Sequence, residues 1–228
     1  MGYAKIKLIT FTSIMLMFIL LSYFYVDQDV ALYFIKYKQT YQNIGRRLSI
    51  LGESQWYIGS AIIGMVYYSY IQRDRLYRNR FLLLLNVNLF SGVLSILFKI
   101  IIGRSRPWAL EHNINAYGFL FTQNEHFTWL QRLDYQITML LEHTTLYESM
   151  PSGHATTTAA VFTYMMILFP KKFYIWVPIA CISLVARVLA NAHYVGDLLS
   201  GILLGTLATL FVYSKMKKKF ENNKEIKA

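Results

Sequence analysis

The sequence predicts an all-α, polytopic integral membrane protein with six transmembrane helices. Of its 228 residues, 55% are hydrophobic and only 15% are charged, whereas soluble domains carry about 25% charged residues. Four prolines and 16% aromatic residues exclude a disordered chain, because disorder requires low hydrophobicity and high charge. Long apolar stretches recur from end to end, and a bilayer span needs about 20 such residues. We therefore expect one membrane domain over residues 1–228.

The candidate spans lie at about 8–26, 56–71, 81–102, 154–169, 173–189 and 198–213. The second and fourth are short, so we expect them to extend into their flanks. The first follows Lys5 and Lys7 as a signal peptide would, but no small-residue cleavage site ends it, so it is interpreted as a retained anchor. A basic soluble tail, 214–228, is expected after the last span.

The distribution of positive charge predicts the orientation in the membrane. A net charge of +11 could indicate nucleic-acid binding, but the cations follow the spans instead. With a cytoplasmic N-terminus, fourteen of the 23 Lys and Arg residues lie on the cytoplasmic side and nine on or near the other, which is the positive-inside pattern. We therefore predict both termini in the cytoplasm of a cell (inner or plasma) membrane protein that binds no nucleic acid. The lone Cys181 excludes an intrachain disulfide.

Two long outward connections are predicted to contain amphipathic helices. From Val30 to Leu51, apolar residues recur at spacings of three and four, with Lys and Arg off that stripe. This pattern suits a helix lying in the membrane interface, and a helix packed on the bundle fits it equally well. In the connection 108–150, a second stripe runs from Leu130 to Thr144.

Three groups of polar residues lie near the outer ends of the spans, where polar side chains are costly and informative. The first closes the third span. Gly103 can end the helix and Pro107 disfavours helix at Arg106, so Lys99 is expected in the last turn and Arg106 in an extended segment beyond it. A snorkelling lysine followed by ordinary loop arginines is the simpler alternative for this stretch alone. Arg104 could be an extra anion contact, but it is interpreted as a solvated loop residue.

The second group, Pro151-Ser-Gly-His154, opens the fourth span. Ser152 is a natural helix N-cap, Gly153 allows a ligand close to the backbone, and the first-turn N–H groups suit an anion. His154 would place a titratable proton there. A capped helix with an incidental histidine is the simpler alternative.

The third group comprises Arg187, His193 and Asp197, around the start of the sixth span. Four residues separate His193 from Asp197, so in a helix they would share a face and the carboxylate could select the tautomer of the imidazole. The same pairing orients metal-binding histidines, but the other two groups supply cations rather than the ligands that a metal needs, so no metal is expected.

All three groups fall on one side of the membrane in the predicted topology. Three cations, helix-start N–H donors, two histidines and one acid suit a phosphate dianion and its in-line transfer. One histidine would attack, and the other would protonate the leaving group.

These motifs resemble those of the type-2 phosphatidic acid phosphatases, or lipid phosphate phosphatases, which share a core with vanadium haloperoxidases. The family's first motif is Lys, six residues, Arg-Pro, which matches Lys99 to Pro107, and its second, Pro-Ser-Gly-His, matches Pro151 to His154. In its third, Ser-Arg, five residues, His, three residues, Asp, the serine is replaced by Ala186.

The resemblance implies a role for each matched residue and no cofactor. His193 would be the nucleophile that forms a phosphohistidine, Asp197 its orienting partner and His154 the general acid. The implied phosphate-binding residues are Lys99, Arg106, Ser152, Gly153 and Arg187.

The implied substrate is a phosphorylated lipid of the bilayer, hydrolysed at the periplasmic or exterior face. Undecaprenyl pyrophosphate, phosphatidylglycerol phosphate, phosphatidic acid and the phosphates of lipid A all fit. A lipid phosphotransferase with the same site, a transporter and a non-catalytic lipid-binding protein are the alternatives. The sequence does not predict an oligomeric state.

Overall fold

The computed structural model describes residues 3–112, 117–122 and 126–225, which are almost entirely helical. The α-helices are α1 (Tyr3–Tyr25), α2 (Asp27–Lys36), α3 (Lys38–Leu48), α4 (Ser54–Val66), α5 (Arg75–Ile102), α6 (Trp129–Glu142), α7 (Thr144–Tyr147), α8 (Gly153–Leu168), α9 (Phe173–Leu189) and α10 (Val195–Glu225). Shorter 3-10 turns lie at Ser49–Gly52, Pro107–His112, Leu120–Thr122 and Pro170–Lys172, and a π-helical turn lies at Tyr67–Ile71.

Each of the six predicted apolar stretches is helical, in α1, α4, α5, α8, α9 and α10. Helix α5 begins earlier than predicted because Asp74 caps it, accepting hydrogen bonds from the backbone N–H groups of Leu76 and Tyr77. Helix α10 continues through Glu225, so the basic segment expected as a separate tail prolongs the last helix. Residues 226–228 of that tail lie outside the described residues.

Four segments are long and apolar enough to cross a membrane: Lys5–Tyr25, Arg75–Ile102, Pro170–Leu189 and Val195–Lys217. The other two predicted spans contain α4, with 13 residues, and α8, with 16 residues. A 16-residue helix is about 24 Å long, which is less than the hydrocarbon thickness of about 30 Å. The all-α membrane fold is thus confirmed, and the second and fourth spans stay predictions.

Helix α8 lies at the centre of the bundle and contacts α5, α9 and α10. Its residues Ala155 to Val161 are all buried, including three threonines. The apolar core beside it draws on α4, α5, α8 and α10. Gly201 and Gly205 allow α10 to approach closely, since a Cβ at Gly205 would lie 2.2 Å from the carbonyl oxygen of Thr156. Burial among helices explains why α8 carries no separate lipid-facing stripe.

The first outward connection contains two helices rather than one, since α2 ends at Lys36 and α3 begins at Lys38. Helix α3 packs on α9 through Gly45, where a Cβ would come within 2.4 Å of the backbone nitrogen of Ala190. Ile44 and Leu48, on the predicted apolar stripe, are exposed. Gly45 therefore makes the close bundle contact, while the neighbouring stripe residues Ile44 and Leu48 are left exposed.

The second outward connection contains α6, as predicted, and α7. Thr128 and Gln131 form a capping box at the start of α6. The Gln136 side chain donates hydrogen bonds to the carbonyl oxygens of Ile100 and Ile101 at the end of α5, at 2.6 and 2.8 Å. Helix α6 is thus attached to the C-terminal end of α5. Residues 113–116 and 123–125 of this connection lie outside the described residues.

Candidate active site

The end of α5 positions Lys99 as the sequence predicts. Gly103 adopts a left-handed conformation, with φ of 56°, and its N–H donates to the carbonyl oxygen of Lys99 at 2.9 Å. A Cβ placed on Gly153 would lie 3.8 Å from Lys99 Nζ, so the ammonium group reaches the start of α8. Its nearest carboxylate, Glu148, is 4.0 Å away.

Ser152 is the N-cap of α8, as predicted, and its side chain accepts a hydrogen bond from the backbone N–H of Ala155 at 3.4 Å. The Ser152 N–H donates to the carbonyl oxygen of Asp197 at 3.0 Å, which ties the start of α8 to the start of α10. Gly153, His154 and Lys99 line one cavity of about 270 Å³. The first two sequence groups therefore meet, at a helix start suited to an anion.

Ser95 lies one turn before Lys99 and lines the same cavity. Its hydroxyl oxygen is buried without a hydrogen-bond partner among the described residues. Ser95 was not predicted from the sequence. Its spacing of four from Lys99 on a predicted helix is the signal that could have done so.

Arg106 and Arg187 line a second cavity of about 380 Å³. Arg187 donates from Nη1 to the hydroxyl of Ser49 at 3.1 Å, which connects it to the segment after α3. The Nε atoms of both arginines are buried without a hydrogen-bond partner among the described residues. Burial lowers the pKa of Arg106, while the charges of Glu148 and Asp197 oppose that shift. The positive charges of these two guanidinium groups are therefore only partly balanced by their surroundings.

His193 lies in the turn before α10 and is 3% exposed. Its Nδ1 is 2.8 Å from the carbonyl oxygen of Ser149. Because a carbonyl can only accept, Nδ1 carries the proton and Nε2 of the neutral ring keeps a lone pair. Burial, helped by the positive charges of Arg106 and Arg187 and opposed by Asp197, lowers the pKa of His193 to about 3. The imidazole is therefore neutral at pH 7, as a nucleophile must be.

The relation between His193 and Asp197 differs from the helical pairing considered from the spacing. His193 precedes the helix, and its Nδ1 is 3.7 Å from the Asp197 carboxylate, beyond hydrogen-bond distance. Asp197 instead accepts hydrogen bonds from the hydroxyl of Ser149 and, at 2.9 Å, from the backbone N–H of Tyr194. The carboxylate therefore holds both segments that flank the imidazole: the Ser149 carbonyl segment and the turn itself.

Arg104 is not the solvated residue expected from the sequence. It is 1% exposed and donates from Nη1 to Asp197 and from Nη2 to Asp27, each at 2.7 Å. Burial alone would lower its pKa, but the charges of Asp197 and Asp27 raise it above the usual value. The correction follows from Asp27, directly after α1, which accepts further hydrogen bonds from Ser22 and the Gly196 N–H.

Four aromatic rings surround the Arg104 guanidinium at 4.3 to 5.8 Å, those of Tyr23, Tyr117, Phe119 and Tyr194. Asp27 was not predicted from the sequence either. A carboxylate at the edge of an apolar span needs a partner, which is the signal that could have found it. Ala186, at the position of the motif serine, is buried in α9 where α3 packs.

The structure thus brings the predicted residues together at one end of the bundle. Lys99, Gly153 and His154 share one cavity, and Arg106 and Arg187 share the other. The charges of both arginines lower the pKa of His193. A backbone hydrogen bond from Ser152 to Asp197 joins the start of α8 to the start of α10, next to the turn of His193. Among the described residues, no group of three His, Cys, Asp or Glu side chains could hold a metal ion.

Comparison with known proteins identifies a matching protein family and individual proteins of similar sequence. The family model described as the PAP2 superfamily matches residues 80–221. A lipid A 1-phosphatase of Rhizobium etli is 28% identical over 187 residues, covering 76% of this chain and 72% of the relative. A lipid A 1-phosphatase of Rhizobium johnstonii is 27% identical over 187 residues, covering 76% and 68%. No solved structure matches the chain significantly.

Proposed function

The chain belongs to the PAP2 superfamily, and from that premise we propose that it is a membrane phosphatase that removes phosphate from a lipid through a phosphohistidine at His193. The observation that carries this proposal is the state of His193. Its ring is neutral, Nδ1 is held by the Ser149 carbonyl, and Nε2 is free beside two incompletely compensated arginines. This is the arrangement that an in-line attack on phosphorus needs.

The first half-reaction breaks the bond between phosphorus and the leaving oxygen. Nε2 of His193 attacks phosphorus as His154, protonated beside the bound phosphate dianion, gives its proton to the departing lipid oxygen. Lys99, Arg106 and Arg187 hold the phosphoryl oxygens, and the hydroxyl of Ser152 and the backbone N–H of Gly153 donate to them. These cations and hydrogen-bond donors thereby stabilise the negative charge that develops on the phosphoryl group.

The second half-reaction breaks the bond between phosphorus and His193. Water attacks from the side that the lipid left, and His154 takes its proton. The products are orthophosphate and a neutral His193. Throughout, Asp197 holds the turn of His193 and the Ser149 segment in register.

The outer helices support a position of this site at the membrane surface. Helix α6 leaves Trp129, Leu130, Ile137 and Leu141 exposed, although it is joined to the end of α5 through Gln136. In α3, Ile44 and Leu48 are exposed beside the bundle contact. Such apolar faces at the end of a bundle suit helices lying in the membrane interface. The proposed face is the periplasmic or exterior one, because the positive-inside pattern places both termini in the cytoplasm.

The direct test is phosphate release by the purified full chain in detergent from lipid A 1-phosphate, phosphatidylglycerol phosphate, phosphatidic acid and undecaprenyl pyrophosphate. We expect release from at least one, with lipid A first to be tried because of the relatives' names. An acid-labile, alkali-stable phosphoenzyme should be trapped during turnover. Release with no such intermediate would contradict the mechanism, and no release from any lipid would contradict the function.

Cysteine labelling tests the orientation. In a Cys181→Ala background, which removes the exposed native thiol, Asp134→Cys in α6 should react with an impermeant thiol reagent on intact cells. Gln72→Cys, exposed in the turn before α5, should react only after the membrane is permeabilised. The reverse pattern would place the site in the cytoplasm.

A further inference from the structure

The cavity that Arg106 and Arg187 share has a second cationic wall, which the proposed reaction does not use. Lys38, Gln42 and Arg46 of α3 line it, and Asn191 lines it from the turn before His193. Lys99 and His154 line the other cavity. The two arginines, whose charges act on His193, therefore also line a polar space of about 380 Å³ that shares no lining residue with the cavity of Lys99 and His154.

The charge around this space is unbalanced. Its lining contains Lys38, Arg46, Arg106 and Arg187 but only one carboxylate, Glu111. Glu111 is already paired with Lys38, and Arg46 forms no ion pair among the described residues. Asn191 is 3% exposed, and its Nδ2 donor is buried without a partner in the described part of the chain. The wall thus offers positive charge and donors that no group in it satisfies.

Helix α3 holds this wall in a fixed position. Residues 38, 42 and 46 are one turn apart and share a face. On another face, Gly45 packs against the backbone of α9, and the hydroxyl of Ser49 accepts a hydrogen bond from Arg187. Because these contacts hold the backbone of α3, an anion that enters has only side chains to order, and binding is stronger when that cost is small.

We infer that this cavity binds a second phosphate-type oxyanion, held by Arg46 together with the Arg106 and Arg187 side chains. The guanidinium fork suits a phosphate group in particular. The volume accommodates one with water, since a water molecule occupies about 30 Å³. The anion is either orthophosphate leaving the reaction centre or a second phosphate of the substrate. The inference rests on the proposed function, since Arg106 and Arg187 serve both anions.

Inhibition by inorganic phosphate tests for two anion sites, with the purified full chain and a lipid monophosphate as substrate. In the wild-type protein, phosphate should inhibit in a mixed manner. The competitive component would come from the reaction centre and the uncompetitive component from the second cavity. Arg46→Ala should weaken the uncompetitive component by about tenfold, the usual loss for one charged hydrogen bond. Arg47→Ala, an exposed neighbour outside the cavity, should keep the wild-type pattern.

A second pair of variants introduces a carboxylate, inside the cavity in one variant and outside it in the other. Gln42→Glu puts a carboxylate into the wall and should abolish the uncompetitive component. Asn43→Asp puts one on the adjacent exposed position and should leave that component intact. Purely competitive inhibition of the wild-type protein would overturn the inference. So would an uncompetitive component that survives unchanged in both Arg46→Ala and Gln42→Glu.

Comparing an isoprenyl monophosphate with the diphosphate of the same chain separates the two sources. If Arg46→Ala lowers kcat/KM about tenfold more on the diphosphate, the second anion is the substrate's own phosphate. If Arg46→Ala changes kcat/KM equally for both substrates while inhibition by inorganic phosphate weakens, the anion is released orthophosphate. Equal responses with unchanged inhibition would overturn the site.

A binding measurement separates this inference from the proposed function. Inorganic phosphate should raise the unfolding temperature of the full chain in detergent. Gln42→Glu should require about tenfold more phosphate for the same rise, and Asn43→Asp should not. If no lipid is hydrolysed but this difference appears, the function is wrong and the cavity assignment holds. If lipids are hydrolysed and the two variants behave alike, the cavity assignment is wrong and the function holds.

Discussion

Arg104 and Arg106 are separated by one residue and differ completely in their surroundings. Arg104 is 1% exposed, bridges Asp27 and Asp197 at 2.7 Å, and is enclosed by four aromatic rings. Arg106 is only partly buried, forms no ion pair among the described residues, and lines an open cavity. Two carboxylates neutralise the first cation, while no comparable partner neutralises the second.

One short segment thus serves both structure and chemistry. A buried charge that is fully paired holds its partners in place, because removing either side leaves an uncompensated charge. A charge left unpaired at a cavity is available to an anion. Arg104 therefore joins α1 and α2 to the turn of His193 through Asp27 and Asp197, and Arg106 is left for the phosphate.

The largest expected effect lies on the reactive side of this comparison. His193→Ala should abolish phosphate release and the trapped phosphoenzyme, because it removes the imidazole that attacks phosphorus. The unfolding temperature in detergent should show that the variant is folded. His126→Ala, at an exposed histidine, is the matched control and should be fully active. Near-normal turnover by His193→Ala would assign the nucleophile elsewhere.

On the structural side, Arg104→Ala should lower the free energy of unfolding by about 3–5 kcal/mol, because it leaves two buried carboxylates unpaired. Activity should fall along with the folded fraction. Thermal unfolding in detergent measures this loss, and Asp27→Ala should destabilise in the same way from the other end. A stable but inactive Arg104→Ala protein would remove the distinction between the two arginines.

Arg106→Ala should lower the activity without lowering the stability of the fold. Loss of one cation that stabilises the transferring phosphoryl group should lower kcat by about 10²- to 10³-fold. Vanadate, an analogue of the in-line transition state, should bind more weakly to the same variant. The unfolding temperature should stay at or above the wild-type value, because no ion pair is lost. Arg47→Ala is the control. Strong destabilisation by Arg106→Ala would show that its charge is structural.

The pH dependence of stability should reveal the burial of His193. The folded-state pKa is lowered to about 3, and an unfolded histidine titrates near 6.5. Between these values the unfolded chain binds a proton that the folded chain does not, so stability falls as pH decreases from about 6.5 to 3. His193→Gln should lose less stability between pH 7 and 5 than the wild-type protein. His126→Gln should match the wild type, and identical profiles for all three would contradict the lowered pKa.

The smallest expected effect is that of a chelator. If arginines, Lys99 and the start of α8 supply the charge stabilisation, excess EDTA should leave the initial rate of phosphate release unchanged. Loss of activity in EDTA that is restored by added Mg²⁺ or Zn²⁺ would show that a metal does this work instead.

Several features of the site could be predicted from the sequence because they depend on residues close to each other in the chain. Gly103 ends α5 in a left-handed conformation, and Ser152 caps α8, since both are choices of one turn of backbone. The helical nature of the six apolar stretches and of α6 follows from their composition and periodicity in the same way. The three motifs then specify the family.

Other features were decided only by the packing of distant segments. Arg104 is paired because Asp27 and Asp197, 77 and 93 residues away in sequence, arrive on either side of it. The acceptor of His193 is a backbone carbonyl, which has no signature in side-chain identity. Arg46 lines a cavity with Arg187 because Gly45 brings α3 against α9. Spacing along the chain determines which face of a helix a residue occupies, but the element opposite that face depends on the whole bundle, and that element determines whether a charge is neutralised or left for a ligand.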